Sequence, residues 1–137
     1  YVIAHDCGVM INPLIIDGQV IGGAAHGLGF AMFEKMIWDD HAQPQSTNLA
    51  EYIIPGAVET PTISIEHIVV PSSQNPLGVK GVGESGLVPV PAVVSSAIED
   101  ALSDLGTKFS DIPIGPSNIL NNIRNHSVEN RAERLHN

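Results

Sequence analysis

The sequence predicts an α+β fold, and three observations carry that reading. Short apolar runs bounded by proline and glycine, Tyr1-Val2-Ile3-Ala4 and Ile63 to Val70, read as β-strands. Two longer segments, about Asp17 to Met36 and Pro91 to Leu105, repeat their apolar residues at spacings of three and four, the period of a helix face. The two kinds of element follow one another without the regular alternation that builds a parallel sheet. The expectation is therefore short mixed strands with two main helices.

Taken in order, Tyr1 to Ala4 reads as a strand with no lead-in, as though the chain begins inside a larger architecture. His5-Asp6-Cys7-Gly8 and Ile11-Asn12-Pro13 read as turns. In the helix that follows, Val20, Ala24, Leu28, Ala31 and Met32 make the apolar face, with Phe33 and Met36 continuing it. Gly22, Gly23, Gly27 and Gly29 interrupt this helix, and each costs about 1 kcal/mol relative to alanine. Close approach of another backbone, or of a cofactor, would account for them. Asp39 to Pro44 is a polar turn, and Glu51 to Pro55 reads as a further short strand. The second main helix has its stripe at Val94, Ala97, Ile98, Ala101, Leu102 and Leu105, opens at Pro91 and stops at Gly106. Pro116-Ser117 opens a shorter helix through Ile123. Residues 1–124 read as one domain portion and 125–137 as a polar tail.

Composition narrows the function classes. A chain of 137 residues that is 43% hydrophobic has enough material for a core. A formal charge of −9 opposes binding to nucleic acid or to an anionic membrane surface. The single cysteine, Cys7, cannot form an internal disulfide and reads as a small buried hydrophobe, in keeping with a reducing compartment. No apolar run approaches membrane-spanning length, so a soluble, cytoplasmic setting is expected.

The most informative segment is Pro71 to Pro91, which has neither helix nor strand period. At its centre, Lys80-Gly81-Val82-Gly83-Glu84-Ser85-Gly86 sets one carboxylate among glycines beside Val79, Val82 and Leu87. Glu84 is the candidate catalytic residue, since apolar neighbours could strip it of water and make it a stronger base. The plainer alternative is a solvated loop carboxylate. Gly81 to Gly86 also spells the dinucleotide pattern G-x-G-x-x-G, but no strand ends at the first glycine and two prolines hold off the next helix, so that reading fails. Ser85 lacks the G-x-S-x-G setting of a hydrolase nucleophile. The six histidines never fall at metal-ligand spacing, so no protein-ligated metal is expected. Gln19 could offer its amide to a ligand or be solvated at the helix end. Lys80 could balance Glu84 or be a surface lysine.

Together these segments resemble a known family. Asp6-Cys7-Gly8, Ile11-Asn12-Pro13, Asp17-Gly18-Gln19-Val20 with Gly22-Gly23, His26-Gly27-Leu28-Gly29, Glu51-Tyr52 with Ile54-Pro55, and Lys80-Gly81-Val82-Gly83-Glu84 occur in order. The series resembles the C-terminal region of the molybdopterin-binding large subunit of the xanthine dehydrogenase and aldehyde oxidase family, over about Tyr1 to Gly106. It looks closest to the hydroxylases of N-heterocycles and aldehydes, because Val82 and Gly83 precede the glutamate where the carbon monoxide dehydrogenase branch typically carries alanine.

The resemblance implies a piece of a larger molybdenum-cofactor-binding domain. It also implies a molybdopterin cofactor, in its cytosine dinucleotide or a related form, that brings its own Mo. Glu84 matches the general base of the hydroxylation, which takes a proton from the hydroxyl at the metal. Gln19 matches a cofactor-contacting glutamine, and Gly81, Val82 and Gly83 match backbone near the pterin. The implied partners are the rest of the large subunit, iron–sulfur and flavin (FAD) segments or subunits, and a small-molecule substrate. His26 departs from the family, in which many relatives carry glutamine. The alternative is an inert fragment or an assembly module of such a complex.

Overall fold

The structure, a computed structural model, describes residues 1–136, with side-chain environments as far as His126. The elements are β1 (Val2–His5), α1 (Pro13–Met32), β2 (Ser64–His67), α2 (Val90–Ala101) and α3 (Pro116–His136), an α+β arrangement as expected. The chain divides into two compact units, the first Tyr1–Leu28 with Pro55–Val90, the second Gly29–Ile54 with Pro91–Asn137.

In the first unit β1 and β2 pair in parallel, Val2 opposite Ser64 through His5 opposite His67. The strand alternation turns Ile3 and His5 inward, where both are buried, while Val2 and Ala4 are exposed. Ile16, Val20 and Ala24 on α1, with Cys7 and Val90, complete this core. Cys7 is thus the buried small hydrophobe its solitude in the sequence implied.

Helix α1 starts four residues before its expected beginning at Asp17. The side chain of Asn12 accepts the N–H of Ile15 at 3.3 Å, and Pro13 follows as the first helical residue. Asn12-Pro13 is therefore a helix cap as well as the end of a turn. The helix also stops earlier, at Met32, with Phe33 and Glu34 both donating to the carbonyl of Gly29. Beyond it, in the second unit, the buried Ser46 hydroxyl donates to Lys35 O at 2.8 Å and accepts the N–H of Ile37.

The strand expected at Glu51 to Pro55 is absent. Glu51 Oε2 instead gathers the N–H and hydroxyl of Thr47 and the amide of Asn48, and Tyr52 N–H bonds back to Asn48 O, which curls the segment into a turn. The Tyr52 hydroxyl donates to Glu34 at 2.5 Å, and that bond with the nearby negative charge raises the phenol above its ordinary pKa.

Helix α2 occupies the predicted place, one residue before Pro91, and a short 3-10 turn at Ser103–Leu105 carries the chain to Gly106. Gly106 takes φ +66°, and its N–H closes onto Ser103 O, the glycine stop expected there. The second unit centres on Ala31, Thr107 and Ile114, and the Ile114 N–H bonds Ala31 O at 2.6 Å. Helix α3 opens at Pro116 as expected and continues past Ile123. Residues 125–136 of the polar segment carry its last part, and Asn137 lies outside the described residues.

Candidate functional site

Both candidate segments lie in the first unit, and the backbone there is held by short polar contacts. Where β1 ends, Asp6 Oδ1 accepts the N–H groups of Gly8, at 2.8 Å, and Val70, at 3.3 Å. Asp6 Oδ2 takes an ion pair from Lys80. The hydrogen bond from Lys80, then that from Gly8, holds the Asp6 carboxyl below its ordinary range. Lys80 is thus the partner of Asp6, and not the counter-charge of Glu84.

This pairing ties two distant stretches together. Val9 N–H bonds Gly78 O at 3.0 Å and Lys80 N–H bonds Cys7 O at 2.8 Å, a short antiparallel bridge between Gly8 and Val79. Gly8 has φ +67°, and a Cβ there would sit 2.2 Å from Gly78 O, so only glycine lets the strands meet. Asn75 braces the far side, its amide donating to Val79 O and its carbonyl accepting Val79 N–H. The Gly-rich loop therefore leaves Lys80 from a fixed base.

Past Lys80 the backbone opens. A Cβ at Gly81 or Gly83 would meet nothing within 4 Å, while Val82 is half-buried and its carbonyl accepts the Ser85 hydroxyl at 3.1 Å. Glu84 begins a tight turn in which its carbonyl accepts the N–H of Leu87 and of Val88. The turn then lands on α1. A Cβ on Gly86 would lie 2.3 Å from Val20 O, one on Gly23 3.0 Å from Leu87 N, and one on Gly27 2.6 Å from Val90 Cβ. Of the two explanations open for the helix glycines, approach of another backbone accounts for Gly23 and Gly27. Gly22 faces open space.

Gly86 rests on Val20, so the loop that carries Glu84 and the helical turn that carries Gln19 are brought to one place. The side chains of both are exposed, as are Gly81 and Gly83. Shielding of Glu84 by its apolar neighbours, expected from the sequence, does not occur within this chain. Beside the loop lies a mainly apolar recess of about 220 Å³ lined by Cys7, Val9, Ile16, Val79 and Val82 among others.

Three features of this region escaped the sequence reading. The Asp6–Lys80 pair joins residues 74 apart, and the seat of Gly86 on Val20 is equally non-local. The third, the facing pair His5 and His67, left a signal. Each histidine falls in phase with the inward isoleucine of its strand, Ile3 or Ile65.

The exposed backbone at Gly81 and Gly83 leaves room for a flat ligand that is read by backbone groups. Among the described residues no group of three or more His, Cys, Asp or Glu is placed to hold a metal ion.

Comparison with known proteins bears on the family. The molybdopterin cofactor-binding domain family matches residues 1–61. The nicotine 6-hydroxylase large subunit of Paenarthrobacter nicotinovorans is 40% identical over 85% of the chain and 14% of its own length. The chain belongs to the molybdopterin-binding large-subunit family. Another family member, the carbon monoxide dehydrogenase large chain of Hydrogenophaga pseudoflava, is 36% identical over 90% of the chain and 15% of its own length. Among solved structures, quinoline 2-oxidoreductase from Pseudomonas putida 86 superposes with a TM-score of 0.87 at 41% identity, over 90% of this chain and 16% of that one. The chain thus spans about a seventh of the large subunits it matches. No helix among the described residues is long and apolar enough to cross a membrane.

Proposed function

We propose that this chain supplies the general base to a molybdenum hydroxylase, with Glu84 as that base and an N-heterocycle or an aldehyde as substrate. The observation that supports the reading is the seat of Gly86 on Val20, which brings the loop of the exposed Glu84 to the helical turn that carries Gln19, while Gly81 and Gly83 face open space. The relatives' printed names, a nicotine hydroxylase and a quinoline oxidoreductase, support an aromatic N-heterocycle. The family's cofactor is molybdopterin, and the form proposed here is the cytosine dinucleotide with Mo.

When bound, that cofactor supplies the metal centre and the redox chemistry of hydroxylation. The chain's own residues do the rest. Gln19 would donate its amide to the cofactor, and the backbone of Gly81, Val82 and Gly83 would lie against it without steric hindrance. Glu84 would accept the proton released as oxygen reaches carbon, its backbone held by the turn that Leu87 and Val88 close on its carbonyl. Water exclusion around Glu84 would come from the cofactor and from the rest of the large subunit. Leu14, Leu49 and Val58 are strongly exposed on this chain, as residues that a partner covers would be. Iron–sulfur and flavin partners and a cytoplasmic setting belong to the same proposal.

The decisive experiment is Glu84→Gln in the assembled enzyme. Molybdenum content should be unchanged while turnover of the heterocycle or aldehyde falls by about 10² to 10⁴, the usual worth of a positioned base. Full retained turnover would reject the assignment.

A further inference from the structure

His5 and His67 stand opposite one another on β1 and β2, their rings in edge-to-face contact with centroids 4.9 Å apart. His67 Nε2 lies 2.8 Å from Asp17 Oδ1 on α1. His5 is 8% exposed, and neither of its ring nitrogens has a protein hydrogen-bond partner among the described residues. Asp17 and Val20 are three residues apart on α1 and so share a face. The histidine cluster therefore meets the helix one turn before the place where Gly86 rests.

We propose that His5, His67 and Asp17 form a protonation-sensitive clamp, which fixes the first turns of α1 on the β1–β2 pair while His5 is neutral and loosens them when His5 gains a proton. The clamp positions Val20 and, through it, the loop that carries Glu84. His5, His67 and Asp17 are positioning residues and touch no reacting atom.

Groups face His5 from each neighbouring element. Burial acts most strongly against its proton, and His67 from β2 acts in the same direction. Asp17 from α1 and Asp6 at the end of its own strand favour the proton. The balance holds His5 below its ordinary value of 6.5. The folded form then binds fewer protons than the unfolded one at acid pH. The clamp is complete above about 6.5 and is lost as pH falls through the lower, folded value.

The inference concerns the placement of the loop and goes beyond the role given to Glu84. Its test is amide hydrogen exchange in the complete large subunit at pH 7.5 and 5.5, with rates corrected for the intrinsic effect of pH. Peptides covering residues 13–22 and 82–90 should exchange about tenfold faster at pH 5.5 in the wild type, and His5→Phe should abolish that acid response. A flat wild-type profile would overturn the clamp, as would an acid response that survives in His5→Phe. Should His5→Phe fail to fold, the ring signal of His5 in wild-type protein labelled at histidine decides. Titration below 6.5 supports the clamp, and titration at or above 6.5 overturns it. Exchange is read without turnover, so failure here is distinct from failure of Glu84 as the base.

Discussion

A methyl group added at Gly86 would sit 2.3 Å from Val20 O and 2.9 Å from the neighbouring Val20 backbone atoms, distances no Cβ tolerates against main chain. The alternative to that clash is displacement of the loop. Gly86→Ala should therefore destabilise the protein by about 1 to 3 kcal/mol, as overpacking does, and, on the role proposed for Glu84, lower turnover of the assembled enzyme. Gly81→Ala is the matched control, since its Cβ would meet nothing within 4 Å and its φ lies outside the left-handed region. Its effect on stability should stay within about 0.5 kcal/mol. Urea denaturation of both variants checks the pair, and equal midpoints would show that the seat does not hold the loop. If Gly81→Ala nonetheless costs turnover, the glycine backbone lies against a ligand, the role assigned to it above.

Among the elements, α2 was the most legible, because its apolar stripe, its proline opening and Gly106 are all local signals that agree. The start of α1 was less so. Asn12-Pro13 serves a turn and a cap equally well, and only the bond from Ile15 to the Asn12 side chain decides between them. Glu51 to Pro55 misled for a related reason. Its β-forming residues are real, but the side chain of Glu51 captures Thr47 and Asn48 and outweighs their propensity. The candidate site divides in the same way. The loop was visible as a break in periodicity, whereas its seat on Val20 depends on a contact between residues far apart in sequence. In the second unit, the core element to test is the short stretch at Ile114, which is 1% exposed and bonded through its N–H to Ala31 O. Ile114→Ala keeps that bond and removes the buried side chain, so a loss of about 2 to 5 kcal/mol is expected in urea denaturation. A loss below about 1 kcal/mol would show that the site collapses around the smaller residue.

For the whole molecule, charge and protonation act on both units. The chain carries a formal −9, yet each unit holds a carboxylate that is paired with lysine. Asp6 in the first unit meets Lys80, and Glu99 in the second meets Lys108 at 2.8 Å while also accepting the N–H of Phe109. Both carboxyls lie below their ordinary values of 3.8 and 4.5, chiefly through the hydrogen bonds from those lysines. A carboxyl whose folded pKa is depressed stabilises the fold above its unfolded value and ceases to do so as pH falls through the folded one. His5 acts with the same sign, but its loss begins near 6.5. The urea midpoint should therefore decline on acidification in two stages, the first below about pH 6.5 and the second below about pH 4.5. Added salt should shrink the second stage, because both lysine pairs are open to solvent, and leave the first nearly unchanged, because His5 is buried. In Lys108→Met the second stage should shrink while the first persists. A midpoint that rose steadily as pH fell would mean that relief of the net negative charge outweighs these local pairs.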